Sequence, residues 1–212
     1  MRNLDRKRMT ENELHEYVAE VEGHEGQMRG VVGYFYRMYR AEVIARVQGT
    51  PGHEILEVGC GEGVMFEDTG IHPVQMDVSM KRLAHARDKG NTLLCGDGYH
   101  LPFRNASVST VLLVAVLEHT REPWRILAEA RRVLKPGGRV VIVVPNDITM
   151  SAGRLILGKF PIRYPDHVTF TTPAKLRRWL SDGFIIREKF PMPFRFLPFE
   201  VNLFYFIVAE VA

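Results

Sequence analysis

Residues Glu57 to Gly63 read Glu-Val-Gly-Cys-Gly-Glu-Gly and follow the apolar pair Ile55-Leu56. An acid stands near the end of a short apolar run, and glycine then recurs at every second position. Glycine admits positive φ and lets a ligand approach the backbone. Val64-Met65-Phe66 reads as the start of a helix, which would aim amide donors into the loop. An acid here would repel a phosphate, so the pattern fits a ligand with a positive group near Glu57 and a nucleoside further along. Three more groups follow later apolar runs: Asp77, the triplet Gly96-Asp97-Gly98, and the pair Glu118-His119. A carboxylate is acceptor-only with two oxygens, so Asp77 suits two adjacent ribose hydroxyls. Asp97 can accept from the exocyclic amine of adenine. Together these two acids would bracket an adenosine, with the glycine loop and its backbone holding an amino-acid tail.

The elements that must position these groups follow from periodicity. Leu14, Val18 and Val21 recur at helical spacing over 11–22, and Tyr36, Tyr39, Val43 and Val47 do so over 30–48. Thr50-Pro51-Gly52 is a break. Strands are expected at 54–58, 73–76, 92–95, 109–117 and 139–144. A short helix is expected at about 64–69, and longer ones at 80–89 (ended by Gly90) and at 123–134 (opened by Pro123). The 109–117 run is apolar almost throughout, which predicts a central strand buried on both faces. Lys135-Pro136-Gly137-Gly138 reads as a turn. Alternation of this kind predicts a parallel sheet with helices on both sides and right-handed crossovers. The glycine loop, Asp77, Asp97 and Glu118-His119 then fall at the carboxyl ends of successive strands, where ligands bind in open α/β sheets. Residues 146–170 show no clean period and read as an insertion. Thr172 reads as an N-cap with Pro173 at the first helical position of a helix to about 181. Strands at 184–190 and 203–211 complete a hairpin.

Bulk properties narrow the classes. The chain has 212 residues, 46% hydrophobic and 25% charged, which suits one domain of an ordinary globular protein. A net charge of +3 with basic residues gathered only at Arg2, Arg6, Lys7 and Arg8 argues against a dedicated nucleic-acid binder. The two cysteines, Cys60 and Cys95, have no metal-ligand spacing. A reducing, cytoplasmic setting is the simple expectation. No apolar run approaches the roughly 20 residues of a membrane helix.

Taken in order, the motifs of residues 54–145 resemble the class I S-adenosylmethionine-dependent methyltransferases, especially the subgroup acting mostly on small molecules. The matching pieces are Glu57 to Gly63, Met76-Asp77-Val78-Ser79, Gly96-Asp97-Gly98 with Leu101-Pro102-Phe103, Val116-Leu117-Glu118-His119, and Arg132 to Gly138. The stretch from His167 to Phe184 is also similar to that subgroup, whereas the first fifty residues carry no specific likeness. The resemblance implies an α/β, Rossmann-like seven-stranded, mostly parallel sheet in the order 3-2-1-4-5-7-6, with the last strand antiparallel and helices on both faces. With the periodicity above, the chain reads as a single domain: a helical cap over 1–50, a cofactor-binding core over 54–145, a lid-like insertion over 146–170, and a terminal helix and hairpin over 171–212. The resemblance implies S-adenosylmethionine as cofactor. Gly59, Gly61 and Gly63 would line its methionine portion, with Glu57 orienting the loop or meeting the amino group through water. Asp77 would hold the ribose, Val78 would pack on adenine, and Asp97 and Gly98 would meet the adenine edge. The backbone at Ala115 and Val116 would face the methionine tail. Two departures stand out: a short span from Gly63 to Asp77, and Ser109 where the family often has an acid.

Other readings stay open at this level. A nicotinamide-binding domain also places an acid about 20 residues past a glycine loop, but it puts two residues before its last glycine, where this chain has one. His119 can act as a general base, or cap a helix start and pair with Glu118. His167 can face the substrate or solvent. Tyr34, Tyr36 and Tyr39 pack, or one of them closes over the cofactor. The aromatic and proline-rich 190–199 segment forms a pocket wall or packs at the sheet edge. No metal is expected. The acceptor is expected to be a small apolar or amphipathic molecule methylated on O, N or C. An RNA or protein methyltransferase and a non-catalytic S-adenosylmethionine-binding module are the alternatives.

Overall fold

The computed structural model describes residues 30–87, 90–164 and 167–212. The helix expected at 11–22 and the basic residues at 2–8 lie outside them. The first described helix, α1, spans Gly30–Val47, followed by β1 (Ile55–Val58), β2 (Val74–Asp77), α2 (Met80–Ala86) and β3 (Thr92–Cys95). Then come β4 (Val108–Val114), α3 (Pro123–Val133), β5 (Leu134–Pro145), α4 (Asp147–Ile156), α5 (Pro173–Leu180), β6 (Phe184–Met192) and β7 (Phe204–Val211). The sheet has seven strands in the order β3-β2-β1-β4-β5-β7-β6. β1 to β5 pair in parallel, and β7 runs antiparallel to both β5 and β6.

Strand alternation divides the core between the two faces. Leu112, Val141, Val143, Phe206 and Val208 pack with Val43 and Val47 of α1. Their neighbours Val111, Leu113, Val140, Ile142 and Ile207 pack on the other face with Ile126, Leu127 and Ala130 of α3 and Leu176 and Leu180 of α5. β4 sits between β1 and β5, with Leu113 level with Val58 on one side and Ile142 on the other. Burial on both faces explains its unbroken apolar sequence. Ser109 donates its hydroxyl to Glu54, which also pairs with Lys135 at 2.8 Å.

Four local expectations are corrected. Residues 64–69 form turns instead of a short helix. Glu67 N–H reaches Val64 O at 3.4 Å and Thr69 N–H reaches Phe66 O at 3.3 Å, and positive φ at Asp68 and Gly70 stops propagation. The apolar Met65 and Phe66 are buried against the α1 face of the sheet, so their pattern reflects core contacts. β4 ends at Val114 because Ala115 takes φ +53°, and Leu117 belongs to a short 3-10 turn over Leu117–His119. Lys135 to Gly138 is an excursion within β5: the pairing with β4 moves from Leu134 with Val108 to Arg139 with Thr110. The segment 146–170 contains a helix, α4, capped by Asn146, whose Oδ1 accepts from Ile148 N–H at 3.2 Å. Its apolar Ile148, Leu155 and Ile156 are exposed, so it lacks the core-facing stripe that periodicity detects.

Candidate active site

The glycine loop wraps the end of β2. Gly59 and Cys60 both donate their amides to Met76 O, at 2.7 and 3.0 Å. Gly61 donates to Asp77 Oδ2 at 2.8 Å, and Ser79 N–H reaches Asp77 Oδ1 at the same distance. One buried carboxylate therefore pins two loops, and the lone pairs left on its oxygens can still accept. Gly59, Gly61 and Gly63 all have positive φ. A Cβ on Gly59 would stand 2.5 Å from Cγ2 of Val116, and one on Gly63 would stand 2.8 Å from Cβ of Ala86. The first glycine makes room for the end of β4 and the third for α2. Ser79 caps α2, its Oγ accepting from Arg82 N–H at 3.3 Å.

A cleft opens over the carboxyl ends of β1 to β4. Gly59, Asp77 and Val78 form one side of its lining, and Asp97 and Gly98 another. Ala115, Val116 and His119 contribute from the end of β4. The left-handed turn at Ala115 is secured by its N–H, which donates to Val143 O at 2.8 Å. Asp97 Oδ1 accepts from Tyr99 N–H at 2.8 Å. The Tyr99 hydroxyl accepts from the amides of Arg121 and Glu122, at 3.1 and 3.2 Å, and so ties the β3 loop to the start of α3. Gly98 is tight as well, since a Cβ there would lie 3.2 Å from Val58.

Glu57 lies below the cleft, buried, with Oε2 accepting from Gln75 Nε2 at 2.6 Å. Burial raises its carboxyl to about 7; the Gln75 bond opposes the rise and the nearby Asp77 charge adds to it. Burial also pushes the Cys60 thiol up, aided by Glu57 and Asp77, so this cysteine is held as a thiol. α1 covers the turn after the loop: Arg40 Nε donates to Met65 O at 2.8 Å, and its guanidinium also reaches Glu67 O. The hydroxyl of Tyr36 is buried and pushed up, first by burial and then by the Glu57 charge.

Comparison with known proteins adds the decisive observation: residues 56–142 match the family model described as "Methyltransferase domain". Over this region the chain is similar to the S-adenosylmethionine-dependent methyltransferases. Their methyl donor is S-adenosylmethionine. A probable S-adenosylmethionine-dependent methyltransferase of Mycolicibacterium smegmatis is 31% identical over 126 residues, covering 57% of this chain and 49% of that protein. Demethylmenaquinone methyltransferase of Renibacterium salmoninarum is 31% identical over 132 residues, covering 60% and 56%. The matched region thus spans about half the length of these relatives. Magnesium protoporphyrin IX methyltransferase of Synechocystis, solved with S-adenosylhomocysteine bound, superposes with a TM-score of 0.67 at 18% identity, covering 93% of each chain. At that identity the likeness concerns the fold.

Within the matched region, Gly59, Asp77, Val78, Asp97, Gly98, Ala115, Val116 and His119 meet at one cleft. Glu57, Gly61 and Gly63 lie outside its lining: Glu57 accepts from Gln75 of β2, Gly61 donates to Asp77, and Gly63 leaves room for Ala86. Sequence reading passed over Tyr99, Arg82, Thr120 and Ile126, which also line the cleft. Tyr99 was within reach, since it directly follows Gly98. His167 is not part of the lining: its Nδ1 meets Asp147 Oδ1 at 2.5 Å. Asp147 Oδ2 in turn accepts from Thr171 N–H at 2.6 Å and Thr171 Oγ1 at 2.9 Å. Burial raises the Asp147 carboxyl, but His167 and Thr171 outweigh it and hold it below the ordinary range.

Carboxylate and histidine side chains that lie far apart in sequence also come together here. Glu118, His119 and His167 converge, with one possible ligand atom from each lying within 4.8 Å of the others. The rings of His119 and His167 meet edge to face at 5.5 Å. Sequence spacing hid the cluster because His167 arrives from beyond α4, brought in by Thr169 N–H, which donates to Glu118 O at 2.9 Å. Tyr34 is exposed, whereas Tyr36 and Tyr39 pack edge to face at 5.2 Å. In the 190–199 segment, Phe190 stacks on the Phe206 ring at 4.6 Å, and Phe196 is exposed. Among the described residues no helix is long and apolar enough to cross a membrane.

Proposed function

We propose that this chain binds S-adenosylmethionine in the cleft and transfers its methyl group to an O, N or C nucleophile of a small apolar or amphipathic acceptor. The observation that carries this reading is the placing of Asp77 and Asp97 on one cleft that Gly59 and Ala115 also line. In this reading Asp77 accepts from the ribose hydroxyls while holding Gly61 and Ser79. Val78 packs on the adenine face, and Asp97 and Gly98 meet its edge. The glycine loop, positioned from below by Glu57, and the backbone at Ala115 and Val116 hold the methionine tail. Bound S-adenosylmethionine supplies an already activated methyl group, so the chain's task is alignment and exclusion of water. His119 lines the cleft at the wall where an acceptor would approach.

A relative above is named for demethylmenaquinone. α4, which starts at the Asp147 that grips His167, leaves Ile148, Leu155 and Ile156 exposed, a surface suited to an apolar acceptor. The test is to incubate the protein with methyl-labelled S-adenosylmethionine and a panel of quinols, phenols and porphyrin carboxylates, with structured RNA and mixed protein alongside. Label in a small-molecule product is expected. Salt-sensitive label in RNA, label in protein, or cofactor binding without turnover across the panel would each overturn the assignment.

A further inference from the structure

We propose that Glu118, His119 and His167 form a binding site for a divalent transition-metal ion beside the cleft. Their possible ligand atoms all lie within 4.8 Å of one another, a spacing that one cation can bridge. The second observation is independent of that spacing. The Glu118 side chain is 2% exposed, and its Oε2 has no hydrogen-bond partner among the described residues. Buried polar atoms are nearly always satisfied, and a lone buried carboxylate oxygen is costly. His119 does not remove that cost, because its Nε2 stands 3.9 Å from the other oxygen, Oε1. A cation held by both imidazoles and this carboxylate would.

The surroundings match what metal-binding histidines need. In metal sites a carboxylate takes one ring nitrogen of the histidine and the ion takes the other, which fixes tautomer and ring orientation. Asp147 already holds Nδ1 of His167, and Thr171 fixes that carboxylate through two hydrogen bonds. Tyr164 stacks on the His167 ring at 5.1 Å. Two imidazoles and one carboxylate suit zinc, manganese, iron(II) or cobalt better than calcium or magnesium, which prefer all-oxygen sites. Three protein ligands leave coordination positions open, as in catalytic sites. Because His119 lines the cleft, the ion would sit at the wall from which the acceptor approaches. On the methyl-transfer reading, it would bind an acceptor oxygen and favour its deprotonated form, which points to a hydroxyl-bearing acceptor.

Cobalt(II) is the probe. The full chain, stripped with chelator, is titrated by calorimetry and visible absorption. Saturable binding of one equivalent with a nitrogen-ligand spectrum is expected. Glu118→Gln keeps the side-chain volume and should weaken binding at least about tenfold, and His119→Asn likewise. Asp147→Asn keeps all three ligands and should weaken it roughly 10- to 100-fold. Thermal melts with and without cobalt give a second readout, with wild type gaining stability on cobalt addition and Glu118→Gln gaining little. No saturable cobalt binding by wild type, or binding that Glu118→Gln and His119→Asn both leave unchanged, would overturn the site. Titration with S-adenosylhomocysteine separates the two proposals: cobalt binding without it preserves the metal site and removes the methyl-transfer reading, and the reverse removes the metal site alone.

Discussion

Replacing Gly59 by alanine would place a methyl carbon 2.5 Å from Cγ2 of Val116, at a residue whose φ is +73°. Two costs follow from those two numbers. A side chain in the left-handed region costs roughly 1–2 kcal/mol. Forcing a methyl group into a filled space costs about 1–3 kcal/mol more. The sum, about 2–5 kcal/mol, would lower the melting temperature of a chain this size by roughly 2–4 °C per kcal/mol. Val116→Ala removes the clashing methyl but leaves φ unchanged, so the double variant should recover the steric part alone. Urea unfolding of wild type, both single variants and the double variant gives the coupling, expected at about 1–3 kcal/mol in favour of the pair. Gly59 and Val116 both line the cleft, so Gly59→Ala should also weaken S-adenosylhomocysteine binding, with partial recovery in the double variant. Additivity of the two substitutions to within about 0.5 kcal/mol would refute the contact and with it the shape given to the cleft floor.

Two further predictions concern the groups beneath and beside the cleft. Glu57 is raised by burial from 4.5 to about 7, so the folded state keeps a proton that the unfolded chain releases. Its contribution is therefore intact below about pH 4.5 and declines until the folded carboxyl ionises near 7, a loss of about 3 kcal/mol. Glu57→Gln should remove that slope in urea unfolding at about pH 5 and about pH 8, and an unchanged slope would contradict the burial argument. Tyr99→Phe deletes the acceptor shared by the Arg121 and Glu122 amides, and should destabilise by about 1–3 kcal/mol in the same assay. No loss of stability would mean that solvent satisfies those amides.

The first three strands were legible because each announces itself twice, by an apolar run and by the acid or glycine at its end. Val74–Asp77 and Thr92–Cys95 are only four residues each, yet Asp77 and Gly96-Asp97-Gly98 fix where they stop. The order of the strands followed from resemblance. What escaped was governed by contacts between distant segments. Met65 and Phe66 looked helical because they are core residues, and the left-handed Asp68 and Gly70 forbid the helix they suggested. α4 was hidden because its apolar side chains face outward. The left-handed turn at Ala115 carries no residue-type signal, since alanine rarely adopts it. The Glu118, His119 and His167 cluster depends on how the segment after α4 folds back, which periodicity does not encode. The resemblance implied that Gly61 and Gly63 face the cofactor; in the fold Gly61 also donates to Asp77 and Gly63 leaves room for Ala86, contacts that spacing does not announce.

Calorimetric titration of the purified protein with S-adenosylhomocysteine, beside Asp77→Asn, tests the central claim most directly. Asn keeps the volume of Asp77 but puts an amide donor where a carboxylate oxygen accepted, and a hydrogen bond to a charged acceptor is worth about 1.5–3 kcal/mol. The account predicts saturable binding of one equivalent by wild type and at least about tenfold weaker binding by the variant. No saturable binding by wild type, or equal affinity in the variant, would contradict it.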